Sequence, residues 1–277
     1  MTSTVAVITV TYNSSGVLEA FLDSIREGDV TEAIIVDNAS SDLDQIRRIA
    51  DAHDAAVLAL PENQGYGAAM NAGAARAGDA EYLLLANPDV VFHEGAIAAM
   101  VERLAYDRRI GAVGPLILDA NGNIYPSARR LPSLRIGIGH ALFEPLWPDN
   151  PWTRTYRQEL AEPIERDAGW LSGACLLVRR SAFEQIRGFD EGYFMYFEDV
   201  DLGRRLGEAG WRNVYTPDAR VTHTGAHSTS NSKSAMARAH HRSAYRYVSQ
   251  RYSAWYLAPL RLVLRVGIAV RELLTSR

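Results

Sequence analysis

The chain has 277 residues, a length that fits one large α/β domain or a domain with an appendage. Its net charge of −4 excludes a global positive field for nucleic-acid binding, and its single cysteine, Cys175, excludes an internal disulfide. No run approaches the roughly 20 apolar residues that a membrane span needs. We therefore expect a cytoplasmic protein, or one attached peripherally to the inner face of the plasma membrane.

Strand-like and helix-like patterns alternate along the first 120 residues. Short apolar runs predict four strands, and between them apolar residues recur at helical spacing. The predicted strands are Val5–Val10, Ala33–Val36, Ala55–Leu60 and Tyr82–Ala86. This alternation predicts an α/β domain with a mainly parallel central sheet and helices on both faces.

The pattern is less regular further along the chain. Residues 121–168 are rich in Pro, Trp and Arg, and a long irregular segment inside a compact domain usually has a function. A strand-like run follows at Trp170–Arg179, and a helical pattern is seen near 181–187. The next helix begins near Asp199.

The end of the chain predicts two more helices over 233–277. We expect residues 1–230 to form the α/β domain and 231–277 to form a C-terminal helical extension. The last helix combines apolar residues with three arginines: Arg261, Arg265 and Arg271. That composition suits a membrane surface, and a helix docked on the domain explains it equally well.

Polar clusters follow three of the predicted strands, where sheets of this class bind ligands. The clusters are Thr11-Tyr12-Asn13, Asp37-Asn38-Ala39-Ser40 and Asn87-Pro88-Asp89. Turn residues can occupy such positions without any chemical role, but three polar strand ends together favour a binding site. Asp37 can accept a hydrogen bond from the imide N–H of a pyrimidine base, while Ser40 or Ser41 can cap the next helix.

A glycine-containing segment, Asn63 to Gly73, opens another predicted helix. Gly65 and Gly67 would let the backbone approach a ligand closely, and helix N-terminal amides favour an anion. The segment lacks the Lys-Ser/Thr end of a phosphate-binding Walker loop.

Asp89 is a candidate ligand for a divalent cation. Mg²⁺ or Mn²⁺ takes one or two carboxylates together with substrate phosphate oxygens. His223 ends a later strand-like run. A lone histidine there is more often structural, but Asp89 and His223 would make a reasonable metal pair.

Three carboxylates, Glu198, Asp199 and Asp201, follow the aromatic run Tyr193 to Phe197. Carboxylates beside apolar surface are costly unless their charge is used, which predicts a reaction centre here. Asp201 also has a structural explanation, because Arg205 lies four residues later on the same helix.

The order of these motifs over residues 4–227 resembles the inverting family 2 glycosyltransferases of the GT-A fold. Two further segments, Trp147–Tyr156 and Ala239–Tyr247, resemble actinobacterial rhamnosyltransferases, which add L-rhamnose to polyprenyl-diphosphate-linked N-acetylglucosamine. The other motifs that carry the resemblance include Leu171 to Ala174, Gly188 to Glu191 and Phe197 to Leu202.

The resemblance implies roles for individual residues. Asp199 is similar to the family's catalytic base, and Glu198 is its neighbour. Asp37 is similar to the residue that recognises the nucleobase of the donor. Asp89 matches the last acid of the family's Asp-x-Asp metal motif, and His223 matches a histidine that completes the metal site. The donor pocket would be lined by Thr11, Tyr12, Asn13, Asp37, Asn63, Gly65, Asn71 and Asn87.

The implied reaction moves a sugar to a lipid-linked saccharide in cell-wall or polysaccharide synthesis. The implied donor is dTDP-rhamnose, although Asp37 would read uracil as well as thymine. Mg²⁺ or Mn²⁺ would assist, residues 121–168 would cover the acceptor, and Arg129, Arg130 or Arg212 would meet the diphosphate. Two other classes stay open: a sugar-phosphate nucleotidyltransferase, although Thr11 to Gly16 lacks its basic residue, and a non-catalytic carbohydrate-binding module.

Overall fold

The computed structural model describes residues 4–26, 30–132, 163–225 and 233–275. The described strands are β1 (Val5–Thr11), β2 (Val30–Asp37), β3 (Ala56–Ala59), β4 (Tyr82–Ala86), β5 (Val90–Phe92), β6 (Ile110–Leu118), β7 (Ile124–Tyr125), β8 (Ala128–Arg129), β9 (Arg166–Ala168), β10 (Trp170–Leu171), β11 (Cys175–Arg179) and β12 (Arg212–His223). The described α-helices are α1 (Ser15–Ser24), α2 (Leu43–Ala52), α3 (Tyr66–Ala74), α4 (Ala96–Tyr106), α5 (Arg180–Gln185), α6 (Glu198–Glu208), α7 (Lys233–Arg251) and α8 (Ala258–Thr275).

The central sheet is mainly parallel, as predicted. Its strand order is β3-β2-β1-β4-β11-β6-β12-β5. The pairs β2–β3, β1–β2, β1–β4 and β6–β12 are parallel, whereas β11 is antiparallel to both of its neighbours and β5 is antiparallel to β12. The insertion of β11 beside β4 brings the segment before it, residues 171–174, to the carboxyl end of β4.

Strand β1 shows why helices cover both faces of the sheet. Its side chains alternate between two apolar clusters, since neighbouring residues in a strand point to opposite faces. Val5 and Val7 pack in the cluster that contains Phe21 of α1, whereas Ala6 and Ile8 pack in the cluster that contains Met70 of α3. The predicted two-sided α/β architecture is confirmed.

Helix α3 lies very close to the sheet because Gly73 has no side chain. A Cβ atom at this position would collide with Ile8 of β1 and would come within 2.9 Å of the Val36 Cγ2 atom of β2. This approach places the first turn of α3, at Tyr66, near the carboxyl ends of the central strands.

The two predicted C-terminal helices are present as α7 and α8, and they pack against each other. In the described part of the chain, no helix is long and apolar enough to cross a membrane. Of the irregular segment 121–168, the structure shows the short strands β7, β8 and β9. Residues 133–162, which include Trp147–Tyr156, lie outside the described residues.

Candidate active site

The paired ends of β1 and β2 hold Asp37 in place. Thr11 lies opposite Asp37 in the strand register, and its hydroxyl donates to the Asp37 Oδ1 atom at 3.1 Å. The Ser40 amide donates to Oδ2 at 3.0 Å, and the Asp37 side chain is fully buried. Asp37 therefore stabilises the turn that follows β2. Its role in reading a base stays a prediction. A base would have to donate to the lone pairs of the carboxylate that Thr11 and Ser40 leave unused.

Asn13 joins the loops that follow β1 and β2. It has a left-handed backbone, with φ of 55°, and its Oδ1 atom accepts from both the amide and the hydroxyl of Ser41 at 2.8 Å. Its own amide donates to the Ser40 hydroxyl at 2.9 Å. Through these contacts, Ser40 and Ser41 form hydrogen bonds between the two loops. The residue at the helix N-cap position is Asp42, which accepts from the Ser15 amide. Tyr12 lies beside them and is exposed.

Asn38 belongs to one of the predicted polar clusters but was given no role of its own, and it links two parts of the site. Its Nδ2 atom donates to the Gly65 carbonyl at 3.1 Å, and its Oδ1 atom accepts from the Gln64 amide at 2.9 Å. Asn63 Oδ1 accepts from the Gly65 amide at 3.0 Å. The position of Asn38 directly after Asp37 was the available signal.

The glycines at the start of α3 allow two protein segments to pack closely, and their predicted contact with a ligand stays a prediction. Gly65 has φ of 87°, and a Cβ atom there would collide with the Phe194 carbonyl oxygen. The Tyr66 amide donates to the same oxygen at 3.1 Å. At Gly67 a Cβ atom would come within 3.0 Å of the Phe189 Cβ atom. The close approach is between two protein segments.

Asn71 likewise holds a loop. Its Oδ1 atom accepts from the Phe189 amide at 2.8 Å, and its Nδ2 atom donates to the Phe189 carbonyl at 3.0 Å and to Glu191 Oε1 at 3.1 Å. Because both ends of the amide are engaged by residues 189–191, Asn71 has a structural task, and its position in the donor pocket stays a prediction.

The carboxylates of the acidic cluster lie at the start of α6, where helix amides favour negative charge. The two residues before the helix, Tyr196 and Phe197, both have φ of 67°. Such left-handed side-chain-bearing residues cost of the order of 1–3 kcal/mol each and cluster at functional sites. Asp199 Oδ2 accepts from the Gly173 amide at 3.0 Å, and Oδ1 accepts from the Val200 amide at 2.8 Å.

Glu198 and Asp199 differ in their surroundings. Burial raises the pKa of Asp199 and outweighs the hydrogen bonds from the amides of Gly173 and Val200, which favour its charged form. Burial, and then the charge of Asp199, raises the pKa of Glu198. Glu198 Oε2 is buried and has no hydrogen-bond partner among the described residues. The pair therefore favours a protonated Glu198 beside a charged Asp199, which suits Asp199 to accept a proton.

Tyr66 is a further site residue that the sequence patterns did not identify. Its hydroxyl donates to the Gly173 carbonyl at 2.5 Å. Burial raises the pKa of Tyr66 most; Glu198 in its ionised form and Asp199 come next, and the charge of Asp89 adds to the effect. The acids of the two predicted motifs thus lie close enough to act on one hydroxyl group.

The segment 171–174 connects the two motifs. While the Gly173 amide binds Asp199, the Ala174 carbonyl accepts from the Asn87 amide at 2.9 Å. Asn87 lies directly after β4, two residues before Asp89. The start of α6 and the end of β4 are therefore attached to the same four residues.

Asp89 and His223 meet because β12 runs antiparallel to β5, with His223 opposite Val90. The His223 Nε2 atom lies 3.1 Å from Asp89 Oδ1 and 3.2 Å from Asn87 Nδ2. The Gly225 amide donates to Asp89 Oδ2 at 3.0 Å. Burial acts to raise the pKa of Asp89, but the contacts with His223 and Gly225 outweigh it and the pKa is lowered.

The predicted metal pair is in direct contact, at a separation that two ligands of one divalent cation could also have. Adjacent ligands of an octahedral ion, each about 2.1 Å from it, are roughly 3 Å apart. The 3.1 Å between Asp89 Oδ1 and His223 Nε2 matches this spacing. No group of three or more His, Cys, Asp or Glu side chains that could hold a metal occurs within the described ranges. The protein would thus supply two ligands there.

The three arginines proposed for the diphosphate have different positions. Arg129 is close enough to Asp199 for its charge to lower the pKa of that carboxyl, and its guanidinium lies over Trp170. The Arg130 backbone carbonyl accepts a hydrogen bond from the Trp170 indole N–H. Arg212 is a correction: it forms ion pairs with Asp107 and Asp167 at the start of β12, whereas His223 ends that strand.

Asp201 has the structural role that its spacing predicts. Its carboxylate is buried and forms ion pairs with Arg205 at 2.6 Å and with Arg204 at 2.5 Å. Since both oxygens are engaged within the helix, Asp201 is separated in function from its neighbours Glu198 and Asp199.

Comparison with known proteins supports the resemblance. The family described as Glycosyl transferase family 2 matches residues 6–187, and Glycosyl transferase family group 2 matches residues 157–275. N-acetylglucosaminyl-diphospho-decaprenol L-rhamnosyltransferase of Mycobacterium tuberculosis is 47% identical over 290 positions, which cover 100% of this chain and 94% of that protein.

Two solved structures share the fold. The mannosyltransferase PcManGT of Pyrobaculum calidifontis, in complex with GDP-Man and Mn²⁺, has a TM-score of 0.62 at 19% identity, covering 97% of this chain and 70% of that one. GalNAc-T7 with UDP, GalNAc and Mn²⁺ has a TM-score of 0.60 at 16% identity, covering 96% of this chain and 54% of that one.

These matches establish the class of the protein. The sheet is that of a GT-A glycosyltransferase, and the chain belongs to glycosyltransferase family 2. It is a glycosyltransferase, which decides against the nucleotidyltransferase and the non-catalytic module that the sequence patterns left open.

The protonated state of Glu198 gives a prediction for stability. A raised pKa means that the folded state binds this proton more tightly than the unfolded state. The stabilisation is complete below the unfolded pKa of about 4.3 and is lost as the pH rises toward the folded pKa. Glu198→Gln has no such proton to lose. Its melting temperature should therefore exceed that of the wild type increasingly from pH 5 to the folded pKa of about 8, and the difference should level off by pH 9, as measured by thermal unfolding.

The matched control is Glu62→Gln, because Glu62 is exposed. Its melting temperature should follow the wild type at every pH. A difference between Glu198→Gln and the wild type that stays constant from pH 5 to pH 9 would contradict the protonated assignment.

Proposed function

We propose that this chain is an inverting glycosyltransferase that moves L-rhamnose from dTDP-rhamnose to a polyprenyl-diphosphate-linked N-acetylglucosamine. The 47% identity to a mycobacterial protein named for that transfer supports the sugar and the acceptor class. The observation that carries the chemistry is the geometry around 171–174, where the Gly173 amide binds Asp199 while the Ala174 carbonyl binds the segment that carries Asp89.

In this proposal Asp199 is the general base of a single displacement. It takes the proton from an acceptor hydroxyl, whose oxygen forms a bond to the anomeric carbon as the bond to the donor diphosphate breaks on the opposite side. The amides of Gly173 and Val200 orient the carboxylate for this step. Glu198, held protonated, keeps the pair at a single negative charge.

Asp89 and His223 would hold Mg²⁺ or Mn²⁺, and histidine ligation favours Mn²⁺ of the two. When bound, the cation would supply a Lewis acid that stabilises charge on a diphosphate. Arg129 stays a candidate for the same diphosphate, and its charge also acts on Asp199.

For the donor base, we propose that Asp37 reads the imide N–H, with Thr11, Tyr12 and Asn13 around it. The carboxylate is held rigid by Thr11 and Ser40, so a base would meet a fixed acceptor. Thymine and uracil share this imide, and the choice of dTDP over UDP rests on the family resemblance of the sequence motifs.

Asp199→Asn tests the reaction and the base together. General-base catalysis is typically worth ~10²–10⁴-fold, so turnover should fall by about that factor while the donor still binds. The measurement is nucleoside diphosphate release from a panel of dTDP- and UDP-sugars with a lipid-linked N-acetylglucosamine acceptor.

The matched control for that experiment is Asp218→Asn, since Asp218 is exposed on β12, and it should keep wild-type turnover. An Asp199→Asn enzyme within a few-fold of wild type would refute the base. Release of pyrophosphate, or of nothing, from every donor would refute glycosyl transfer.

Removal of a metal ligand should weaken Mn²⁺ binding. Asp89→Asn and His223→Ala should each raise the Kd for Mn²⁺, measured by electron paramagnetic resonance in the presence of dTDP, by about 10–100-fold. The control is His93→Ala, whose ring contacts Thr222 nearby. Equal Mn²⁺ affinity in all variants would remove the pair from the metal site.

We also propose that the C-terminal helix α8 rests on a lipid surface. Its side chains Leu262, Val263 and Val266 are 62%, 67% and 55% exposed, and Trp255 and Tyr256 before it are 85% and 65% exposed. Aromatic rings beside an apolar helix face are typical of a membrane interface. A polyprenyl acceptor would be found at such a surface.

The arginines of this helix have contacts within the protein. Arg261 donates to the carbonyls of Tyr252 and Ala254, and Arg265 lies over the ring of Tyr245. The Arg271 side chain lies outside the described part. The apolar face is therefore the surface to test.

The double variant Val263→Ser with Val266→Ser should bind vesicles of phosphatidylcholine and phosphatidylglycerol more weakly than the wild type in co-sedimentation. Each removed apolar side chain contributes about 1.5–3 kcal/mol when buried, so a loss of at least tenfold is expected. Tyr106→Ser is the control, because Tyr106 is 86% exposed but lies on α4. Unchanged binding of the double variant would favour a helix that only docks on the domain.

A further inference from the structure

The loop of residues 190–197, which leads into the catalytic pair, is held from two sides. On one side the Phe194 carbonyl accepts from the Tyr66 amide at the start of α3. On the other side lies α7, the first helix of the C-terminal extension. The contacts with α7 are with side chains, so they can be removed one at a time.

An ion pair forms the outer part of this contact. Arg246 donates to both oxygens of Asp190, at 2.7 Å and 2.9 Å from its Nη2 atom and at 3.1 Å from Nε. Gln250 donates to Asp190 Oδ2 at 2.8 Å. Gly192 leaves the space for the guanidinium, because a Cβ atom there would collide with Arg246. Two-point contacts of this kind define direction as well as distance.

The middle of the loop is bound by buried groups. Tyr193 is fully buried, lies under the Arg246 guanidinium, and donates from its hydroxyl to Gln250 Oε1 at 3.1 Å. The Ser243 hydroxyl, itself buried, donates to the Met195 carbonyl at 2.8 Å. This last bond fixes the peptide that immediately precedes Tyr196.

Rings from α7 pack on the two left-handed residues. His240 lies 5.5 Å from the ring centroids of both Tyr196 and Phe197, and Tyr247 lies 5.6 Å from Phe197. A left-handed conformation persists only where its surroundings enforce it. Here α7 supplies that enforcement directly before Glu198.

We infer that α7 is a positioning element for the reaction. Arg246, Gln250 and Ser243 hold residues 190–197 in the conformation that sets Asp199 against the Gly173 amide. This rests on the proposed role of Asp199 as the base. None of the three residues of α7 is a catalytic residue, since each acts through the loop.

Hydrogen–deuterium exchange tests the positioning without reference to activity. In Arg246→Ala and in Ser243→Ala, the amides of residues 193–201 should exchange about tenfold faster, because local opening is no longer opposed. Arg238→Ala, an exposed arginine on the same helix, is the control and should leave exchange unchanged. Ser243→Ala removes one hydroxyl, so it keeps the test valid if Arg246→Ala unfolds. Unchanged exchange in Ser243→Ala and in a folded Arg246→Ala would overturn the inference.

Steady-state kinetics then test whether the loop affects the reaction rate through Asp199. Small misplacements of a catalytic group can cost about 10²-fold, so kcat should fall about 10–100-fold in Arg246→Ala while the donor KM stays within a few-fold. Arg246→Lys, which keeps the charge, should recover part of the loss.

In an Asp199→Asn background, Arg246→Ala should cause no further loss, whereas an additive loss would overturn the inference. If the wild type releases no nucleoside diphosphate from any donor, the proposed function fails. The exchange experiment still decides whether α7 positions the loop.

Discussion

The hydrogen bond from the Gly173 amide to Asp199 is the interaction on which the site depends. It joins α6 to the segment before β11, and that segment is bound in turn to the end of β4 through Asn87. A hydrogen bond to a charged group contributes about 1.5–3 kcal/mol, and leaving a buried carboxylate without it would cost more. The bond therefore keeps Asp199 within one rigid unit with the sheet edge that carries Asp89.

The position of β11 between two parallel strands makes this hydrogen bond possible. An antiparallel strand enters the sheet at the edge where the parallel strands end. Residues 171–174 thus lie beside the ligand-binding edge before the chain runs back through the sheet. A purely parallel sheet would have left this edge without the backbone groups that bind Asp199 and Asn87.

The surroundings of the carboxyl groups at this edge favour a negative charge on two of them and a proton on the third. Asp199 has amide donors and suits a negative charge, whereas Glu198 has an unpartnered buried oxygen and suits a proton. Asp89 has a histidine and a backbone amide, which lower its pKa. Three carboxyls near one tyrosine hydroxyl can therefore have different protonation states, as acid–base chemistry on a diphosphate sugar would require.

The sequence by itself determined the main elements and the candidate residues for much of the proposed site. Apolar periodicity located β1 to β4 and their helices, since burial on two faces imposes a regular pattern, and the i,i+4 spacing predicted the Asp201–Arg205 pair. Motif order identified Asp89, Asp199 and the family. The contacts of Gly65, Asn71 and Arg212 were decided by tertiary structure, because each depends on a partner 45 or more positions away: Phe194, Phe189 and Asp167. The same applies to α7, whose polar and aromatic side chains gain a role only when folding brings residues 190–197 against them.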